Sequence, residues 1–231
     1  MIFLTVLPPL CSAILLLTLA VLLLRGAFRQ YPLLLAYCGI ELAIVIGEGL
    51  AFNSAGMKSA LYRYVYWSGD LLHDLMLFLL VITLTYKTLE GSPLRPATSR
   101  MLTVIAVGAV ALPFVLYHPY FTGRWFRHTS QLLSLGAAFL NLLLWTAIIG
   151  TKKRDPQLLM VSAGVGIAVT GLAIYYGLLQ FMSSDAVRWL PDLFHGMTHV
   201  AGIAIWCWAF RPAFGRRRVA DPPGQPVAGQ V

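Results

Sequence analysis

Residues 1–24, MIFLTVLPPLCSAILLLTLAVLLL, run for 24 positions without a charged side chain and stop at Arg25. A helix rises about 1.5 Å per residue and the hydrocarbon core of a bilayer is about 30 Å thick, so about 20 apolar residues suffice to cross it. The stretch is long enough, and no basic residue precedes it as in a cleaved secretion signal, so it reads as a first membrane span. Apolar runs of the same kind recur, and the expected spans lie near 2–24, 32–53, 62–87, 102–118, 129–150, 157–181 and 190–210. The fold class that follows is all-α: an integral membrane bundle of seven transmembrane helices within residues 1–218. Residues 219–231 lack apolar periodicity and are expected to form a disordered cytoplasmic tail.

Composition agrees with this reading and narrows it. The chain is 58% hydrophobic and 11% charged, with a mean hydropathy of +0.75, so lipid rather than water is its solvent and membrane lipids are its expected partners. A net charge of +8 would suit nucleic acid only if the basic residues shared one soluble face. They stand instead between the apolar runs, so no nucleic-acid partner is expected. Cys11, Cys38 and Cys207 all fall inside apolar segments, with neither a disulfide framework nor a Cys-x-x-Cys metal site. Basic residues also set the expected orientation. Arg25, Arg29, Lys87, Arg95, Arg100, Lys152, Lys153, Arg154, Arg211, Arg216, Arg217 and Arg218 fall on one side, and Lys58, Arg63, Arg124, Arg127 and Arg188 on the other. Twelve against five puts the first group in the cytoplasm and the N-terminus outside. The expected location is a multi-pass position in a bacterial plasma membrane.

An ionisable side chain at the bilayer centre costs about 2.5–3.5 kcal/mol on insertion scales, so each one needs a partner, a cavity or a function. Seven stand in three of the expected spans: Glu41 and Glu48 in the second, Asp70, His73 and Asp74 in the third, and His195 and His199 in the seventh. His195 and His199 are one helical turn apart, Asp70 shares a face with His73 and Asp74, and Glu41 and Glu48 share a face at a spacing of seven. Counting residues from the span ends puts all but Glu41 in the outer half of the membrane, with Glu41 nearer the midplane. The second, third and seventh spans are therefore expected to be neighbours around one polar pocket.

Such a pocket admits three chemistries. Two histidines one turn apart and a third imidazole or a carboxylate make a three-ligand set for a catalytic Zn²⁺ that keeps its fourth position open. In that reading His195, His199 and His73 hold the metal, and Asp70, Asp74 and Glu48 are the catalytic carboxylates that shuttle protons. The same groups suit a proton relay or a charged ligand, and equally a hydrogen-bonded network that fixes helix packing. His118 and His128 flank an external loop and read as interfacial. Gln131, Asn141 and Gln180 suit hydrogen bonds between helices, Ser162 with Gly166 suits a small-residue contact, and Pro113 should kink the fourth span.

The last span, Leu193-Phe194-His195-Gly196-Met197-Thr198-His199-Val200-Ala201-Gly202-Ile203, resembles the final helix of the alkaline ceramidase, adiponectin receptor and hemolysin III superfamily of seven-helix membrane hydrolases. Asp74-Leu75-Met76 resembles the segment around the aspartate of that superfamily's third helix. The resemblance implies zinc on His195 and His199, with Asp74 positioning the water. It also implies a Ser-x-x-x-His near the end of the second helix, where this chain has Gly49-Leu50-Ala51-Phe52-Asn53; His73 would then supply the third ligand. Two other seven-helix families do not fit. No lysine stands within the last span to carry retinal, and neither Asp-Arg-Tyr nor Asn-Pro-x-x-Tyr occurs. The function expected is a metal-dependent hydrolase of a lipid or amphiphile, the alternative a non-enzymatic sensor or carrier that uses the cluster as a ligand or proton site.

Overall fold

The computed structural model describes residues 2–90, 95–118, 120–150, 155–181 and 189–211. The expected tail at 219–231 lies outside the described residues, as do Lys152, Lys153, Arg154, Arg188, Arg216, Arg217 and Arg218 of the topology count and the side chain of Gln180. Among the described residues the structure is helical without strands: α1 (Ile2–Leu22), ending in a π-helical turn (Leu23–Ala27), α2 (Pro32–Ala55), α3 (Ala60–Thr88), α4 (Arg95–Leu116), α5 (Gly123–Gly150), α6 (Pro156–Phe181) and α7 (Trp189–Ala209). The first six are long and apolar enough to cross a membrane. The seventh is 21 residues long, and Asp192, His195 and His199 lower its hydropathy below that of the others. Its site-forming residues are thus also what weakens its membrane signal.

Local chemistry sets the helix ends. Pro32 and Pro156 open α2 and α6, where proline's missing N–H costs nothing. Ser59 caps α3 by accepting a hydrogen bond from the Tyr62 amide at 3.0 Å, and Asp155 caps α6 by accepting from the Gln157 amide at 2.9 Å. Gly56, with φ of +78°, closes α2 in a conformation that a side chain disfavours. Two helices begin earlier than hydropathy alone suggests. The first two turns of α4 and α5 carry Arg95, Arg100, Arg124 and Arg127, which an apolar-run criterion discards.

Six helices form a closed ring in the order α1, α2, α3, α5, α6, α7, with α7 returning to α1. The fourth helix lies outside it against α5, and α3 also touches α6 across the interior. The tightest seam joins α6 to α7. A Cβ on Gly164 would meet the Trp206 indole and lie 2.9 Å from the Gly202 carbonyl oxygen, and one on Gly171 would collide with the Thr198 hydroxyl. Small residues here let the two backbones approach closely, as membrane helices do. The Trp206 indole N–H, fully buried, donates to the Val161 carbonyl at 2.9 Å and locks the same seam. Gly166 faces α5 instead, against the Asn141 side-chain amide, and Ser162 is fully buried with its hydroxyl on the Leu159 carbonyl. Pro113 sits within an uninterrupted α4.

Candidate metal centre

The α2–α3 turn, the start of α5 and the start of α7 lie at one end of the bundle, here called the α2–α3 end. From the helix bounds, Glu41 stands about 14 Å of rise from the start of α2, His73 about 20 Å from the start of α3 and His199 about 15 Å from either end of α7. All three belong to the middle of their helices, and the fold brings them together. His73 Nδ1 and Glu41 Oε1 form a hydrogen bond of 2.5 Å, and Glu41 Oε2 lies 3.9 Å from His199 Nε2. The rings of His73 and His199 meet edge to face at 5.2 Å between centroids. One ligand atom from each of Glu41, His73 and His199 falls within 4.8 Å of the other two. Glu41 and His73 are buried and His199 is half-buried.

A tetrahedral shell with bonds of about 2.0–2.2 Å spaces its ligand atoms about 3.3–3.6 Å apart, so closure on a metal asks for side-chain shifts of about an ångström. Two imidazoles and a carboxylate are a donor set suited to Zn²⁺ with a fourth position open, and the residues present therefore fit such an ion. A fourth group meets the same His199 nitrogen that faces Glu41. The fully buried Tyr37 hydroxyl shares a hydrogen bond of 2.9 Å with His199 Nε2, while its ring packs against Trp206 at 5.4 Å. Tyr37 thus ties the α6–α7 seam to the polar cluster.

The other sequence-indicated residues take distinct places. His195 lies one turn nearer the start of α7, its ring parallel to that of His199 at 6.2 Å and 6.1 Å from that of His73, with Nδ1 buried and unpartnered. It stays outside the 4.8 Å group, which contains Glu41 in its stead. Glu48 and Asp70 line a cavity of about 630 Å³ that is also bounded by Glu41, His73, His195 and His199. Both lie nearer the α2–α3 end, and Glu48 Oε1 rests over Gly69, 3.3 Å from where a Cβ would stand. Asp74 turns toward α6 and accepts from the Tyr176 hydroxyl at 3.2 Å, leaving Oδ1 without a partner. His118 and His128 pack on Tyr120 and Tyr117, remote in sequence from the cluster.

The three helices expected to be mutual neighbours meet in a specific way. The second and third pack directly, whereas α7 takes α1 and α6 as its principal backbone neighbours and reaches the site through side chains across the ring interior. Along their helices, Glu41, His73 and His199 stand near the middle, and Glu48 and Asp70 nearer the α2–α3 end. By residue count Glu41 stands nearer the midplane than the other ionisable groups, and a search for ionisable residues alone does not include Tyr37. A signal for the tyrosine existed, because it precedes Glu41 by one helical turn and shares its face. Asp192, in the first turn of α7, also lines the 630 Å³ cavity and was not singled out. Compared with family models, curated proteins and solved structures, the chain matches none.

Proposed function

We propose that Glu41, His73 and His199 hold a divalent transition metal, and that the chain is a metal-dependent membrane hydrolase of a lipid or other amphiphile. The observation that carries this reading is the convergence of one carboxylate and two imidazoles, from three separate helices, on a region 4.8 Å across beside a cavity of about 630 Å³. A metal there would supply Lewis-acid polarisation of an acyl carbonyl and activation of a water for attack on it. This chain's own groups do the rest. Glu48 and Asp70 face the cavity and can take and return a proton, His195 offers a further imidazole there, and the Tyr37 hydroxyl must leave His199 Nε2 for a metal to bind that nitrogen. Asp74, held by Tyr176 beside His73, is a positioning residue. Apolar Ile44, Val45 and Leu193 line the same cavity and suit an acyl chain. Of the two histidines that carry the likeness of the last helix to the ceramidase and adiponectin receptor superfamily, His199 belongs to this ligand set and His195 does not. In this reading α7 is a seventh span, and the twelve-to-five basic count places the α2–α3 end outside the cell.

A second reading has its own support. The 2.5 Å hydrogen bond between Glu41 and His73 is complete without a metal, and the carboxylates along the cavity suit a proton or ligand site of a sensor or carrier. The two readings part on turnover. Purified protein in lipid nanodiscs, loaded with Zn²⁺ and given a mixture of ester-linked and amide-linked lipids, should release fatty acid detectable by mass spectrometry. His199→Ala should abolish that release. No release from any acyl-linked lipid, in protein shown to contain metal, would reject the hydrolase.

A further inference from the structure

On the lipid-facing side of the ring, α2 and α3 leave an open groove of about 430 Å³ between them. Ile40, Ile44 and Gly47 bound it on one side, and Val65, Gly69 and Leu72 on the other. Its lining is almost wholly apolar, and Ala43, Ser68 and Leu72 are exposed along it. The groove follows the helix axes. From Tyr64 to Leu72 it covers about 6 to 18 Å of rise from the start of α3, in the half of that helix nearer the α2–α3 end.

Two glycines shape it. A Cβ on Gly47 would stand 3.8 Å from Val65 Cγ1, an ordinary contact distance, so the wall there is bare backbone with space in front of it. Gly69 is buried and seats the Ile44 side chain: a Cβ on it would lie 2.8 Å from Ile44 Cγ2 and 3.3 Å from Glu48 Oε1. Ile44 and Gly69 also line the 630 Å³ cavity beside the triad. The two spaces therefore share a wall made by one side chain lying on a glycine. That wall stands one helical turn from Glu41 along α2 and one from His73 along α3.

Both helices are long and apolar enough to span a membrane, so the groove opens on hydrocarbon rather than on water. An apolar groove about 12 Å long that runs with the helix axes has the chemistry and direction of a lipid tail. On the far side of the shared wall the apolar lining continues through Val45 and Leu193.

We propose that the α2–α3 groove seats one acyl chain of a membrane lipid and is the lateral route by which that chain passes over Gly69 into the cavity beside the triad. That the chain belongs to a substrate rests on the hydrolase reading; its seat and its passage do not. The probe is a phosphatidylcholine with a diazirine in the middle of one acyl chain, photolysed in nanodiscs that hold the full chain. Mass spectrometry should find label at Ile40, Val65 or Leu72 and also inside the cavity at Val45 or Leu193. Its yield should exceed that at Val104 and Val107, exposed on α4, by about fivefold or more. Gly47→Leu and, separately, Ser68→Trp fill the groove and should cut label in both spaces about fivefold or more. Gly39→Leu is the control, since a Cβ at that exposed position meets nothing within 4 Å and lies outside the groove. It should leave the pattern unchanged.

Equal yield in the groove and on α4, a groove free of label because a second copy of the chain covers it, or a labelled groove beside an unlabelled cavity each overturns the proposal. The measurement reads seating and not turnover. The expected pattern in metal-loaded protein that releases no fatty acid upholds the groove and rejects the hydrolase, and fatty-acid release from protein with an unlabelled groove does the reverse.

Discussion

Replacing Gly164 by alanine puts a methyl group where α6 and α7 leave no room. Its Cβ would lie 2.9 Å from the Gly202 carbonyl oxygen and 2.5 Å from Trp206 Cδ1, against ordinary carbon contacts of about 3.5–4.0 Å. The carbonyl belongs to the backbone and cannot rotate away, so α7 must move off by about half an ångström to one ångström. Overpacking of this kind costs about 1–3 kcal/mol, and strain on the Trp206 to Val161 hydrogen bond adds up to about 1 kcal/mol. Better helix propensity returns about 0.5–1 kcal/mol, which leaves a net loss of about 1–3 kcal/mol. Gly177, on the same helix, is the control. A Cβ there meets nothing within 4 Å, so Gly177→Ala should be neutral or stabilising by up to about 1 kcal/mol. Thermal unfolding in detergent, followed by circular dichroism, should show the Gly164→Ala midpoint several degrees below both the parent and Gly177→Ala. Because His199 rides on α7, the same variant should also bind Zn²⁺ more weakly. A Gly164→Ala protein as stable as Gly177→Ala would refute the close α6–α7 seam and the placement of His199 that depends on it.

Tyr37→Phe removes the hydroxyl that meets His199 Nε2 and should cost about 1–2 kcal/mol in the unfolding free energy of the metal-free chain; because that nitrogen also faces Glu41, the hydroxyl competes with a metal for it and Zn²⁺ affinity should not fall, while unchanged stability would show that the hydrogen bond has no role. Ser59→Ala removes the cap of α3 and should lower stability by about 1 kcal/mol without altering metal content, which thermal unfolding and elemental analysis check together. For topology, a reporter active only in the cytoplasm should work when fused at the C-terminus, and one active only outside should work when inserted near Arg124; the reverse pattern would invert the bundle.

Length and hydropathy were enough to find the helices, because lipid-exposed positions demand apolar side chains almost without regard to packing. Residues such as Val104, Val107 and Val115, all exposed on the ring's outer neighbour α4, carry that signal most cleanly. Helix starts were legible where a proline or a capping side chain marks them, as at Pro32, Ser59 and Pro156. Arg95 and Arg124 hid two early turns, since a charge at a membrane edge looks like a loop in a hydropathy profile. The presence of a site was also legible, as intramembrane His, Asp and Glu have few structural excuses. Its membership was not. Depth counted from uncertain ends is good to about one turn, which is the interval that separates His73 from Asp70 and His199 from His195. Nor does spacing along α7 say which imidazole the ring interior admits. That depends on how far Gly164 and Gly202 let α7 approach α6.

The central claim is that Glu41, His73 and His199 bind a metal, and elemental analysis of the gently purified chain tests it most directly, combined with Zn²⁺ titration of chelated protein. The account predicts about one divalent transition metal per chain, removed by chelation with a fall in thermal stability, restored by Zn²⁺, and lost in Glu41→Gln and His199→Ala. No stoichiometric metal, no gain on adding Zn²⁺ and a thermal midpoint indifferent to chelator would contradict it.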